Sequence, residues 1–173
     1  MTTPDHGILV RRTRPDEAAT FKAFRLRALA DTPDAFATTT AQAEAMPWER
    51  WVHRVTRGAI GEEALLLVAV DADTNAWLGM TGSYFKDDAP HTAHIVSVWT
   101  APEARRRGVA RLLQEAARSW AASRGAREQR LWVTNTNDAA RLLYEAEGFA
   151  LTGTTQPHPA NPHLSELEMV RPL

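Results

Sequence analysis

Residues 94–110 read His94-Ile95-Val96-Ser97-Val98-Trp99-Thr100-Ala101-Pro102-Glu103-Ala104-Arg105-Arg106-Arg107-Gly108-Val109-Ala110. An apolar-rich strand from His94 to Trp99 ends in a proline-containing turn. An amphipathic helix follows from about Val109 to Arg124, with Leu112, Leu113, Ala116, Ala117 and Trp120 on one face. Three guanidinium groups and a glycine therefore stand where a helix begins. The first turn of a helix presents unpaired N–H groups and the positive end of its dipole. Glycine lets an anion approach the main chain, and arginines add charge-assisted hydrogen bonds. Together they make a candidate diphosphate site.

Upstream, Ile8-Leu9-Val10 reads as a short strand, and Pro15-Asp16-Glu17 opens a helix burying Phe21, Phe24, Leu26 and Leu29 until about Asp31-Thr32-Pro33. The pattern from Thr38 to Ala45 assigns no element. Pro47 starts a second helix carrying Trp48, Trp51 and Val55 to about Arg57, and Gly58 and Gly61 bracket a turn. Leu65 to Val70 is a continuous apolar strand, as expected of a sheet covered on both faces. Turns at Asp71–Asn75 and Lys86–Pro90 join it to two further strands, giving an antiparallel meander that ends at Trp99. Downstream, Gly125 closes the long helix. The strand Leu131-Trp132-Val133, reached by a strand–helix–strand crossover, is expected to run parallel to the one before the arginines. A helix from Asp138 to Glu147 stops at Gly148, and Phe149 begins a strand. A loop with Pro157, Pro159 and Pro162 leads to a last strand from Leu164 through Val170.

The 173 residues carry a formal net charge of −1 and no cysteine. That excludes disulfides, a thiol nucleophile and a thiolate metal site, and it gives no overall attraction to nucleic acid or membrane. Met1 to His6 lacks the basic-then-apolar pattern of a signal peptide. No apolar run approaches the ~20 residues of a membrane span. These features lead us to expect one cytoplasmic domain spanning residues 1–173. The Walker phosphate loop is excluded because no Gly-Lys-Ser/Thr follows the arginines. His91 and His94 fall on opposite faces of a strand, and His158 and His163 sit in a proline-rich loop without a carboxylate cluster, so no metal site is expected.

A second segment, Asn137-Asp138-Ala139-Ala140-Arg141-Leu142-Leu143-Tyr144-Glu145-Ala146-Glu147-Gly148-Phe149, completes the pattern. With the arginine turn it resembles the acyl-CoA-binding core of the GNAT N-acetyltransferase superfamily. That core reads Gln/Arg-x-x-Gly-x-Gly/Ala and, one strand later, Asn-x-x-Ala-x-x-x-Tyr-x-x-x-Gly-Phe. Arg105, Gly108 and Ala110 fill the first half; Asn137, Ala140, Tyr144, Gly148 and Phe149 fill the second. The resemblance implies an α/β GNAT fold: a mixed, mostly antiparallel sheet of six to seven strands flanked by about four helices.

It also implies acetyl-CoA as co-substrate, with no metal. The diphosphate would lie on Arg105, Arg106, Arg107, Gly108, Val109, Ala110 and Arg111. The pantetheine arm would lie like an added strand along Val98, Trp99 and Thr100, near Asn137 and Ala140. A backbone N–H near Val98 would stabilise the oxyanion, and Tyr144 would protonate the leaving thiolate. His94 occupies the place of the glutamate base in the histone acetyltransferase branch. A base is needed because an ammonium of pKa ~10.4 leaves only about one amine in a thousand free at neutral pH. Glu44, Tyr84 and Ser97 are further candidates for this role or for acceptor contact. Each residue also has an ordinary reading. Asn137 caps a helix, Tyr144 packs in the core, His94 is a structural histidine, and the arginines are a solvated or nucleic-acid-contacting patch.

The implied reaction is direct transfer to a primary amine of a small molecule or peptide, by a monomer or homodimer. Its rival is a non-catalytic acyl-CoA-binding module. The acceptor pocket is expected from Ala30–Trp51, the strand around Tyr84 and the Pro157–His163 loop. The acceptor's identity stays open among antibiotic, polyamine, amino acid and protein N-terminus.

Overall fold

The computed structural model describes residues 7–173; the Met1–His6 stretch read for a signal peptide lies outside the described residues. Seven strands form one sheet: β1 (Ile8–Arg12), β2 (Ala64–Asp71), β3 (Trp77–Lys86), β4 (Ala89–Thr100), β5 (Glu128–Thr134), β6 (Ala150–Pro157) and β7 (Ser165–Pro172). Their spatial order is β1-β2-β3-β4-β5-β7-β6. Every neighbouring pair is antiparallel except β4 and β5, which are parallel as the crossover requires. The helices are α1 (Ala18–Asp31), α2 (Thr40–Glu44), α3 (Trp48–Ile60), α4 (Val109–Ser123) and α5 (Asp138–Ala146). The short α2 falls in the stretch without a sequence assignment. A capping box ties its start: Thr39 Oγ1 accepts from the Gln42 N–H at 3.1 Å, and Gln42 Oε1 from the Thr39 N–H at 2.9 Å.

The two faces of the sheet divide the helices. On one face α1 and α3 pack through Phe24, set edge-on to Trp77 and Trp99 at 5.5 and 4.9 Å, and through Phe21, edge-on to Trp51. On the other face Val109 and Leu113 of α4 close over Gly79, where an added Cβ would meet them at 2.7 and 3.1 Å. The buried side chain of Arg171 reaches both the Gln114 carbonyl of α4 and the Glu147 carbonyl at the end of α5, so α5 shares that face. The α1 pattern differs from the sequence expectation at one position: Leu26 is half-buried, and its neighbour Arg25 is the buried residue.

A second difference lies at Gly58. The sequence reading ends α3 near Arg57, but the helix runs through Gly58 to Ile60, and Gly61 caps it. Gly58 serves packing instead of termination, since a Cβ there would stand 2.3 Å from Leu66 Cβ and 3.0 Å from its backbone nitrogen. Gly58→Ala is therefore expected to destabilise the fold by about 1–3 kcal/mol through overpacking, despite the ~1 kcal/mol by which alanine favours a helix over glycine. Urea denaturation should show a lower midpoint with an unchanged slope, and a raised midpoint would refute the close approach.

Candidate active site

Strands β4 and β5 pair only at Thr92↔Glu128, Ala93↔Gln129 and His94↔Arg130, and beyond His94 they part. On its other edge β4 carries a bulge: Met80 pairs with Trp99 and Gly82 with Val96, so Thr81 alone faces Ser97 and Val98. Ser97 adopts φ 59°, a left-handed conformation uncommon for a residue other than glycine. Between the parted strands lies a narrow cleft of about 70 Å³. Ile95, Val96, Ser97 and Val98 line one side, Leu131 to Thr134 the other, and Asn137, Ala140 and Tyr144 also line it. The structure thus brings the two sequence motifs together at one gap in the sheet.

The arginine turn forms a separate, exposed part of the site. Arg106 and Gly108 both have positive φ, 63° and 78°, and Gly108 is the N-cap of α4 with no side-chain cap. Among the described residues, the amides of residues 106–111 find no main-chain acceptor. Such a run of free N–H groups at a helix start is a ready anion cradle. Arg106, Arg107 and Arg111 are exposed around it and make no ion pair among the described residues. Arg105 differs. Its guanidinium bonds the Asp31 carboxylate and the Thr100 carbonyl, and Asp31 also accepts from Trp99 Nε1 at 2.9 Å. Arg105 and the buried Trp99 side chain thus fasten the turn to α1, and their side chains point to structural work.

Asn137 caps α5, its Oδ1 accepting from the Ala140 N–H at 3.2 Å. Its Nδ2 makes no hydrogen bond among the described residues, so capping and a contact in the cleft are compatible. Tyr144 is 7% exposed and set edge-on to Phe149 at 5.8 Å. Its hydroxyl has no side-chain or main-chain partner among the described residues. Burial pushes its pKa well above the ordinary tyrosine value, which keeps the phenol protonated through neutral pH.

His94 stacks on Tyr84 with centroids 5.3 Å apart, on the face of α1 and α3. Its Nε2 is enclosed and unpaired. Burial, then the charges of Lys86 and Arg130, hold its pKa below the usual imidazole value, against a smaller opposing pull from Glu168 and Asp88. His94 does not line the cleft. Its neighbour Ile95 begins the cleft lining, while the imidazole is turned to Tyr84. Glu44 is exposed on α2, away from the cleft. The Pro157–His163 loop is pinned to the α1–α2 connection: His158 Nδ1 accepts from the amides of Ala160 and Asn161, so Nε2 carries the proton it donates to the Asp34 carbonyl at 3.0 Å. His158 is thereby a structural residue, and no metal-ligand cluster occurs among the described residues.

Two arginines escaped the sequence reading. Arg54 of α3 donates to Ser97 Oγ at 2.8 Å and lies over the Phe21 ring at 5.2 Å. Arg25 of α1, one turn beyond Phe21, is 5% exposed and lies over the Phe36 ring at 4.1 Å. Burial, then the charge of Arg54, pushes its pKa down to about 9, so it stays charged at neutral pH. Their signal was a charged residue inside an apolar helix face, a pattern that propensity alone reads as solvent-facing. Arg54 also lines a cavity of about 270 Å³ with Arg57, Leu65, Leu66, Tyr84 and Val96. Val96 borders both this cavity and the cleft. Of the three segments expected to form the acceptor pocket, the strand around Tyr84 borders this cavity together with α3, β2 and β4, Ala35 of Ala30–Trp51 borders the cleft, and the 157–163 loop lines neither. A further depression of about 420 Å³, between α1 and the β2–β3 turn, shares none of these residues.

A parted parallel strand pair, a bulged β4 and an uncapped α4 behind an arginine turn thus lie together around β4. The sequence profile of the Acetyltransferase (GNAT) family matches residues 26–149, more than half of the chain. The chain belongs to the GNAT acetyltransferase family. Its fold matches a GNAT acetyltransferase from Streptococcus pneumoniae with a TM-score of 0.80, at 21% identity over 96% of this chain and 99% of that one. A GCN5-related N-acetyltransferase from Kribbella flavida aligns with a TM-score of 0.78, at 26% identity over 99% and 100%. The PaiA N-acetyltransferase of Thermoplasma acidophilum, solved in complex with coenzyme A, aligns with a TM-score of 0.73, at 15% identity over 96% and 99%. No curated protein sequence matches the chain. No helix of the described residues is long and apolar enough to cross a membrane.

Proposed function

We propose that the chain is a single-domain N-acetyltransferase that moves an acetyl group from acetyl-CoA to a primary amine by direct attack in a ternary complex. The observation that carries this reading is the gap between β4 and β5, lined by Ser97 and Val98 of the bulge on one side and by Asn137, Ala140 and Tyr144 on the other. Acetyl-CoA supplies the activated acetyl thioester. The amides of residues 106–111, with Arg106, Arg107 and Arg111, hold its diphosphate. The unpaired strand edges flanking the gap accept an extended, amide-bearing chain as a sheet accepts a strand, and Asn137 Nδ2 adds a donor. The Val98 N–H is the donor for the thioester carbonyl oxygen, where negative charge develops.

Tyr144 acts on the leaving sulfur. A phenol buried this way has a pKa above that of a thiol, ~8.5, so full proton transfer is uphill by at least ~2 kcal/mol. Its main contribution is a hydrogen bond donated to the developing thiolate, with the proton following as solvent enters. His94 is neutral at neutral pH and stacks on Tyr84 outside the cleft lining, so we assign it as a base acting through water. His94→Ala should therefore cost most above pH 6.5, where the wild-type imidazole is free, and the two proteins should converge as pH falls and the wild-type ring is protonated. A uniform loss across the profile of kcat/KM would assign His94 to packing.

The direct test follows free thiol released from acetyl-CoA across a panel of primary amines, with acetyl-CoA binding measured by calorimetry. Binding with turnover on at least one amine is expected. Binding without turnover on any amine would identify a non-catalytic acyl-CoA module. DNA binding that acetyl-CoA does not displace would overturn the assignment of the arginine turn.

A further inference from the structure

A buried guanidinium normally sits against a carboxylate, because an unpaired charge in a low-dielectric interior is costly. Several arginines of low exposure here obey this. Arg11 pairs with Glu17, Arg130 with Glu128 and Glu168, and Arg171 lies 3.8 Å from Glu147. Arg12 instead bonds the carbonyls of Gly58, Ala59 and Gly61 at the end of α3. Arg25 and Arg54 have no carboxylate within ion-pair distance among the described residues. Among the described residues Arg25 Nη1 is buried without a partner, and the one side-chain hydrogen bond of Arg54 goes to Ser97. Arg54 lies over the ring of Phe21, one turn from Arg25 on α1, and its charge acts on Arg25. One anion beside Arg54 would relieve both desolvation and repulsion.

The position of this pair makes it part of the reaction site. Ser97, the hydrogen-bond partner of Arg54, is the bulge residue that lines the thioester cleft. The adjoining cavity adds Arg57 and no carboxylate. An acceptor amine reaching the cleft at Val96 and Ser97 thus has guanidinium groups within a few bond lengths.

Resting on the acetyl-transfer reading, we propose that the acceptor is an amino-carboxylic acid whose carboxylate is held by Arg54 in the cavity it lines with Arg57, with the buried Arg25 adding charge behind it, while its amine enters the cleft beside Ser97. Leu65, Leu66 and Val96 offer its side chain an apolar wall. The arginines also disfavour the ammonium form of a nearby amine and so ease its deprotonation. This selects the amino-acid class and excludes polyamines and peptide N-termini, whose extra cations or missing carboxylate leave the arginines uncompensated.

The experiment measures kcat/KM at saturating acetyl-CoA for a panel of L-α-amino acids, each beside its own carboxamide. The carboxamide amine is the less basic of each pair, which biases the comparison against the expected result. For the best substrate the acid should exceed its amide by about 100-fold, the scale of a charged hydrogen-bonding pair. Arg54→Met should shrink that ratio at least tenfold, with Arg54→Lys retaining part of it, and Arg25→Met, which removes a charge outside the cavity wall, should shrink it less. Amines acetylated with equal kcat/KM for acid and amide overturn the carboxylate site and leave acetyl transfer standing. If acetyl-CoA binds without any turnover, the acetyl-transfer reading fails by itself. Calorimetry of the same pairs on the CoA-saturated protein then decides the carboxylate site: tighter binding of the acid supports it, and equal or absent binding overturns it. The wild-type comparisons need no variant to fold.

Discussion

Replacing Tyr144 with phenylalanine is expected to lower kcat by about 100-fold, the lower end of what a positioned proton donor contributes. Affinity for acetyl-CoA should stay within a few fold. The ring is packed edge-on to Phe149 and the hydroxyl has no partner among the described residues, so phenylalanine keeps the packing and strands no buried group. Stability should be unchanged or slightly raised. A fall in kcat with unaltered acetyl-CoA binding is the signature of an interaction made in the transition state alone. Unchanged kcat, with pre-steady-state kinetics showing chemistry to be rate-limiting, would remove Tyr144 from the mechanism. The directions of the two pKa shifts add a pH expectation. His94 is held below the usual 6.5 and Tyr144 above the usual 10. With acceptor saturating, kcat should therefore rise below pH 6.5 and hold a plateau to about pH 10. An alkaline limb centred below pH 9 would belong to some other group.

What the sequence disclosed and what it hid follow from the range of the interactions concerned. The turn at residues 105–110 and the Asn137–Tyr144 helix were legible because their chemistry is local: a glycine at positive φ, a helix start, two side chains seven residues apart on one helix. The parallel pairing of β4 and β5 followed from crossover handedness. The bulge did not, because Ser97 takes a left-handed conformation that glycine or asparagine would have advertised. Arg105 read like its two neighbours, yet its partner Asp31 lies 74 residues away and only the fold brings them together. Gly58 carried the signal of a helix end, and packing against Leu66 overrode it. Arg25 and Arg54 were hidden for the same reason. Charge in a helix predicts exposure, and burial of that charge is a tertiary event.

The largest expected stability effect lies behind the site, at Arg171. This side chain is 3% exposed, and its Nε and Nη2 both donate to Gln129 Oε1, at 2.9 and 2.6 Å. Its Nη1 donates to the Glu147 carbonyl at 2.8 Å, and the guanidinium lies over the Phe149 ring at 4.7 Å. Arg171→Met preserves length and apolar contact but leaves the fully buried Gln129 oxygen and the Glu147 carbonyl without these donors. The expected loss is about 3–5 kcal/mol, as for breaking a buried charged interaction by removing one partner. Removing the acceptor as well, in Gln129→Leu with Arg171→Met, should recover a substantial part of that loss, because matched apolar groups replace a buried polar pair at little cost and the Gln129 Nε2 already lacks a partner among the described residues. Urea denaturation of the two single variants and the double variant measures this coupling. Additive losses would show that Gln129 and Arg171 act independently. The effect should also reach the chemistry. Arg171 holds the carbonyl at the C-terminal end of α5, three residues from Tyr144, and packs on the ring that Tyr144 packs against. Under conditions where the single variant is still folded, its kcat should fall while a phenylalanine at 144 adds less than it does in the wild-type background. Such non-additivity is expected where one residue acts by positioning another. If the two losses in kcat simply multiply, Arg171 supports the fold without tuning the tyrosine.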